Sequence, residues 1–100
     1  MYKIIWEYIA RDKMQNEFEL QYGPNGTWSL LFKKSNHYIK TELLKSIDAE
    51  RLYYVIDIWK SKKEYEEFKK KNHEEYHKYD VEFEKLKERE RIIGQFEDIQ

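Results

Sequence analysis

The chain has 100 residues, enough for one domain, and its 19 basic and 20 acidic side chains nearly cancel to a formal net charge of −1. That balance excludes the broad basic surface by which proteins bind nucleic acid, and the lack of cysteine excludes disulfides, thiolate metal sites and a cysteine nucleophile. The lack of cysteine suits a reducing compartment, and no apolar run approaches the roughly 18 residues that span a membrane. The first ten residues have no basic region followed by an uninterrupted apolar stretch, so we expect a cytoplasmic protein with no signal peptide.

The first third of the chain predicts a strand followed by two helices. Tyr2–Ala10 is rich in Ile, Tyr and Trp, as strands are. Asp12 is a suitable N-cap for a helix over Lys13–Tyr22, and the dipeptide Gly23-Pro24 ends that helix. Thr27 is then predicted to cap a second, short helix with an apolar stripe.

The rest of the chain predicts two strands, a long helix and a last strand. Tyr38–Ile47 and Leu52–Trp59 are joined by a link of hairpin length, so we expect antiparallel neighbours. Ser61 is the predicted cap of a helix from residue 62 to about residue 91, with room for a bend near Tyr79. Ile92–Ile99 is the predicted final strand.

This order of elements predicts the fold class. A β-α-(α)-β-β-α-β order is typical of the ferredoxin-like α+β arrangement, an antiparallel sheet with helices on one face. Right-handed crossovers place the first and third strands side by side in the middle of the sheet. We expect one domain over residues 1–100.

The two central strands are apolar on both faces, which predicts a partner. Ile5 and Ile9 alternate with Ile4 and Trp6 in the first strand, and the third strand shows the same double pattern. Helices cover one face only, and leaving the other in water forgoes several kcal/mol at about 25 cal/mol per Å². We therefore expect a homodimer in which a second copy covers that face, forming a dimeric α+β barrel.

Two carboxyl groups on the predicted central strands are candidate bases. If these strands are neighbours, Glu7 and Asp57 are expected on one face of the sheet, together with Trp59. A carboxyl among apolar side chains has a raised pKa, which suits proton abstraction. The alternative is that each is a barrel-edge or interface residue paired with Lys or Arg.

A third group of residues is dense in aromatic rings and lies near predicted turns. It consists of Tyr22, Trp28, Phe32, His37 and Tyr38. Aromatic walls with a few polar groups suit a small planar ligand, although packing under the sheet explains such a group equally well.

The stretch His73-Glu74-Glu75-Tyr76-His77 has the H-E-x-x-H spacing of zinc proteases, with Asp80 a turn later. The surrounding helix is rich in Glu, so a solvated helix face explains the match better. We expect no metal site here.

Several strings of the chain together resemble the antibiotic-biosynthesis-monooxygenase group of dimeric α+β barrels. They are Phe18-x-x-x-Tyr22-Gly23-Pro24-x-Gly26-x-Trp28-x-x-Leu31-Phe32, Tyr38-x-x-Thr41-Glu42-Leu43-Leu44, Asp57-x-Trp59-x-Ser61 and Ile93-Gly94-x-Phe96. The resemblance covers nearly the whole chain. It implies a pocket between sheet and helices where a phenolic substrate is deprotonated and meets O₂ without a cofactor, with Trp59 as a wall.

The haem-degrading branch of the same superfamily pairs that Trp with an Asn on the first strand and a His on the following helix. Here Glu7 lies in the Asn region, and Lys69 or Lys70 stands where the His is expected, with His73 a turn later. These departures disfavour haem.

The resemblance implies a cofactor-independent monooxygenase-like protein that acts on or binds a small aromatic molecule of the quinol or anthrone type. In that hypothesis Asp57 or Glu7 takes a proton and His37 assists. The predicted substrate-binding residues are Trp59, Trp28, Tyr22, Phe32, Tyr38 and His73. The alternative is a non-catalytic ligand-binding or assembly module of the same fold.

Overall fold

Four antiparallel strands form one sheet in the computed structural model, which describes residues 1–99. The strands are β1 (Tyr2–Ala10), β2 (Tyr38–Lys45), β3 (Leu52–Trp59) and β4 (Lys87–Glu97), in the order β2-β3-β1-β4. The helices are α1 (Gln15–Tyr22), α2 (Thr27–Phe32), α3 (Lys62–Lys71) and α4 (His73–Glu82), with a 3₁₀ turn at Phe83–Leu86. This confirms the ferredoxin-like α+β class and the central position of the first and third strands.

The register between β1 and β3 decides which side chains face the helices. Ile4 lies opposite Asp57, and Tyr8 lies opposite Tyr53. Because alternate residues point to opposite faces, the buried Tyr2, Ile4 and Tyr8 share the helix-covered face with Asp57. The intervening residues form the open face of the sheet.

The helix starts differ from the sequence prediction at two caps. Residues 11–14 form a turn in which Lys13 has φ 67°, so α1 begins at Gln15 and Asp12 is not its cap. Thr27 is the first residue of α2 rather than its cap, and its hydroxyl binds the Gln21 side chain. The predicted stop at Gly23 is confirmed, since its amide donates to the Glu19 carbonyl.

The predicted long helix from residue 62 to about residue 91 is wrong in its second half. Its start is confirmed, because the Ser61 hydroxyl accepts a hydrogen bond from the Glu64 amide. The helix breaks at Asn72, whose side chain donates to the Phe68 carbonyl, rather than near Tyr79. The chain then leaves helical structure after Leu86.

Strand β4 begins at Lys87, five residues before the predicted start at Ile92, and ends at Glu97 rather than at Ile99. Its whole length pairs with β1, and the pairing between Ala10 and Lys87 lies at one end of that ladder. The backbone hydrogen bonds to β1 therefore outweigh the helical preference of the charged residues 87–91.

An aromatic core lies between the sheet and the helices. Phe18 stacks on Tyr22 at 4.4 Å between ring centroids, and Trp28 meets Tyr76 edge-on at 5.0 Å. Edge-to-face and offset pairs of this kind add to the burial of apolar area. Tyr65 and Phe68 before the helix break, and Tyr76 and Phe83 after it, all pack in or against this core.

Candidate functional site

A cavity of about 160 Å³ lies between the sheet and the helices. Its aromatic walls come from strand β1 and from helices α1, α2 and α4, and they consist of Trp6, Tyr8, Tyr22, Trp28, Phe32 and Tyr76. The remaining lining residues are Thr41, Val55, Asp57, Lys69, Asp80 and Glu90. The cavity is therefore a mainly aromatic chamber with a few polar groups, the usual character of a small-molecule site.

Asp57 is the buried acid of this cavity. Its position on β3 places it between Ile4 of β1 and Thr41 of β2, and only 7% of its surface is exposed. Burial raises the pKa of its carboxyl from 3.8 to about 6, although hydrogen bonds from Thr41 and Trp6 oppose the rise. Asp57 can thus gain or lose a proton near neutral pH.

A row of hydroxyl groups leads from Asp57 towards the helices. The Thr41 hydroxyl lies 2.8 Å from Asp57 Oδ1, and the Tyr38 hydroxyl lies 2.7 Å from the Thr41 oxygen. Tyr38 Oη is also 3.2 Å from the buried Ser29 hydroxyl, which donates to the Gly23 carbonyl at 3.1 Å. The acid is therefore connected to the turn between α1 and α2.

Charged groups from α3, α4 and β4 line another part of the cavity. The Lys69 ammonium lies 4.9 Å from the centre of the Tyr76 ring, a cation–π contact. Burial raises the pKa of Asp80, and Glu90 forms an ion pair with the buried Lys87. Two lysines and several carboxyl groups thus lie around the aromatic chamber.

Three of the predicted aromatic residues, Tyr22, Trp28 and Phe32, come together around this cavity. Tyr38 lies beyond Thr41 and reaches the acid through that hydroxyl. Trp59 is fully buried behind the cavity, against Phe32 at 5.5 Å and Phe68 at 5.1 Å, and does not line it.

The expectation that Glu7 and Asp57 share a face of the sheet is wrong. Glu7 lies opposite Tyr54, one step out of phase with the pair of Ile4 and Asp57, so its side chain is on the open face. There it accepts hydrogen bonds from Arg91 at 3.3 Å and from Tyr54 at 2.9 Å. The hydrogen bonds from Arg91 have the largest effect and that from Tyr54 the next largest. Together they hold the pKa of Glu7 below its ordinary value.

The predicted histidines are outside the cavity. His37 Nε2 lies 3.3 Å from a Glu64 carboxylate oxygen, in a separate surface groove of about 450 Å³. His73 is exposed, with Nδ1 3.3 Å from the Lys70 carbonyl. Within residues 1–99, no three His, Asp or Glu side chains come together in a group that could hold a metal ion.

Most of the polar residues that line the cavity were not predicted from the sequence as part of the site. Thr41 carries a visible signal, because it is a polar residue next to the apolar Leu43 on the same face of β2. Asp80 and Glu90 carry none, since their approach to the cavity depends on the helix break at Asn72 and on the early start of β4.

None of the described helices is both long and apolar enough to cross a membrane. No protein-family model matches the chain, and no curated protein matches it.

Solved structures do share its fold. SnoaB, a cofactor-independent oxygenase from Streptomyces nogalater, superimposes with a TM-score of 0.79 at 14% identity, over 99% of this chain and 93% of that one. PA3566 from Pseudomonas aeruginosa gives a TM-score of 0.69 at 15% identity, over 99% and 94%. A Nitrosomonas europaea protein, provisionally described as an antibiotic biosynthesis monooxygenase, gives 0.70 at 12% identity over 100% of both chains. The chain thus has the ferredoxin-like fold of these proteins, as the sequence resemblance implied.

Proposed function

We propose that this protein is a cofactor-independent monooxygenase that oxidises a single-ring quinol, with Asp57 as its general base. One observation carries the proposal: a buried carboxyl with a pKa of about 6 lies in a cavity whose walls are aromatic. A base is most effective when its pKa is close to the working pH, and an aromatic chamber suits a planar ring. The fold shared with a cofactor-independent oxygenase supports the same reading.

The size of the cavity favours one ring over three. Its volume of about 160 Å³ is close to the roughly 150 Å³ of an engineered protein cavity that binds benzene. An anthrone has three fused rings and exceeds this space. We therefore assign the substrate to the hydroquinones, a narrower class than the sequence alone suggested.

The reaction needs only the quinol, O₂ and a proton acceptor. Asp57 takes the proton of one hydroxyl, and the resulting quinolate passes an electron to O₂. The two radicals combine, so a C–O bond forms at the ring carbon beside the ionised oxygen, and Asp57 returns its proton to the peroxide. Loss of the ring C–H proton and cleavage of the O–O bond then release water and leave a hydroxyquinone, so quinol plus O₂ gives hydroxyquinone plus water.

The surroundings of Asp57 support these steps. Trp6 and Trp28 supply aromatic walls for the substrate, and Lys69 is the one cation among the described residues lining the cavity that can attract a developing quinolate. The low-polarity walls strengthen that attraction relative to water. Neither Glu7 nor His37 has a role in this proposal, because neither lines the cavity.

Haem does not fit this site. The cavity is smaller than the roughly 300 Å³ at which sites for drug-sized ligands begin. None of its lining residues is a histidine, and His73 is exposed on the outside of α4. We therefore propose that the reaction uses no haem.

The test is oxygen uptake with methylhydroquinone, measured for the wild type and for Asp57→Asn. Removing a general base lowers the rate by roughly 10²- to 10⁴-fold, so we expect kcat/KM to fall by at least about 100-fold. Asp48→Asn, which changes an exposed acid in the β2–β3 link, is the matched control and should behave as the wild type. Saturable binding of the quinol without any oxygen uptake by the wild type would identify a binding module instead.

We also propose that the protein is a homodimer, in keeping with the dimeric barrel that the sequence resemblance implies. The open face of the sheet carries a row of apolar side chains, Ile5, Ile9, Leu52, Tyr54 and Ile56, which none of the described helices covers. Contiguous apolar surface of this kind marks an interaction site. A second copy of the chain is the commonest partner for such a face. We also propose a cytoplasmic location for the dimer, which the lack of cysteine supports.

A further inference from the structure

The hydroxyl row beside the cavity consists of four hydrogen bonds in series. They join Asp57 to Thr41, Thr41 to Tyr38, Tyr38 to Ser29 and Ser29 to the Gly23 carbonyl, over 2.8, 2.7, 3.2 and 3.1 Å. Ser29 is fully buried and Thr41 nearly so, so water does not readily replace these partners. Each hydroxyl has a single proton to donate, which limits how many of the four bonds can exist together.

Counting protons separates the two states of Asp57. With Asp57 ionised, three hydroxyl protons serve four bonds: Thr41 donates to the carboxylate, Ser29 donates to Gly23, and Tyr38 donates either to Thr41 or to Ser29. One of the two Tyr38 contacts is then left without a proton. With Asp57 protonated, four protons serve four bonds, each group donating to the next from Asp57 to the Gly23 carbonyl.

We propose that Thr41, Tyr38 and Ser29 form a switchable hydrogen-bond chain that is complete only while Asp57 holds a proton. The chain therefore stabilises the proton that Asp57 takes from its ligand, a consequence that rests on the proposed function. The Thr41 hydroxyl reverses direction as the proton arrives and again as it leaves, whereas Ser29 donates to the Gly23 carbonyl in both states. Tyr38 and Ser29, which do not touch the ligand, are thus positioning residues for the base.

Other titratable and charged side chains also face Asp57, and they are the same in every variant in which a hydroxyl of the hydrogen-bond chain is replaced. Tyr8 approaches from β1, Tyr65 and Lys69 from α3, Tyr76 and Asp80 from α4, and Glu90 from β4. The effect of these groups on Asp57 does not depend on the direction of the hydroxyls. Substitutions of the three hydroxyl residues therefore isolate the contribution of the hydrogen-bond chain to the pKa of Asp57.

The test is the pKa of the Asp57 carboxyl in the ligand-free protein, followed by carbon NMR and assigned by the signal lost in Asp57→Asn. In Tyr38→Phe the protonated state keeps two of its four bonds, and the ionised state keeps two of three. The protonated state thus loses one bond more, and the acid dissociation constant should rise about threefold to tenfold. Ser29→Ala makes the same count of losses and should shift the pKa in the same direction.

Two control variants sharpen this test. Thr41→Ser keeps the hydroxyl and should leave the pKa of Asp57 unchanged, and Tyr54→Phe makes the same chemical change on the open face without effect. A pKa that rises or stays constant in both Tyr38→Phe and Ser29→Ala would overturn the proposal, since Tyr38 would then act only as a donor towards the ionised acid. The readout needs no turnover, so it fails or succeeds independently of the quinol reaction.

Discussion

Replacing Asp57 by Asn should make the protein more stable, and more so at high pH. The substitution keeps nearly the same shape in the cavity and removes a carboxyl that burial makes costly to ionise. The carboxyl has a higher pKa in the folded protein than in the unfolded chain. Its ionisation therefore leaves stability unaffected well below pH 4 and lowers it as the pH rises through about 6.

The structure sets the size of this effect. The pKa of Asp57 rises from 3.8 to about 6, and each pH unit corresponds to 1.36 kcal/mol, which gives about 3 kcal/mol at pH 8. A small part of this loss is already present at pH 4, where somewhat more than half of the unfolded chains carry an ionised Asp57. The advantage of Asp57→Asn over the wild type should therefore grow by about 2 to 3 kcal/mol between pH 4 and pH 8.

Guanidinium unfolding followed by tryptophan fluorescence measures this difference, at one fixed protein concentration because a dimer links stability to concentration. The exposed Asp48→Asn variant should stay parallel to the wild type across the same range. Parallel pH dependences of stability for Asp57→Asn and the wild type would contradict this expectation. Asp57 would then ionise in the folded protein as readily as in water.

Two further results are expected. In the wild type, kcat/KM for methylhydroquinone should rise about tenfold per pH unit below pH 6 and level off above it, because only ionised Asp57 accepts the substrate proton. A value of kcat/KM that falls as the pH rises through this range would contradict the assignment of Asp57 as base. Ile56→Glu places a charge in the middle of the open face, so sedimentation should show a dimer dissociation constant raised by at least about 30-fold. The control Val81→Glu, at an exposed position of α4, should stay dimeric. An unchanged dimer in Ile56→Glu would place the interface elsewhere.

The sequence was sufficient to predict the central strands, but not the last one. The ends of β1 and β3 match their predictions because both are short runs of β-branched and aromatic residues between clear breaks. Residues 87–91 all carry charged side chains, and such a run favours a helix. Only the ladder with β1, formed by distant parts of the chain, makes it a strand.

The candidate site was predicted in part for a related reason. Asp57 and the aromatic residues of α1 and α2 are recognisable from their types and spacing. The face on which Glu7 lies is not, because both faces of β1 are apolar and only the register with β3 separates it from Asp57. The place of Trp59 was missed for another reason, since it shares the face of Asp57 as predicted and yet lies behind the cavity rather than in it.

The most direct test of the account is the fate of isotopically labelled O₂ during oxidation of methylhydroquinone. We expect a hydroxyquinone that carries one labelled oxygen atom, with the second label in water, at a rate that depends on Asp57. An unlabelled quinone accompanied by hydrogen peroxide would contradict it, because the cavity would then promote electron transfer to O₂ without forming a bond between oxygen and the ring.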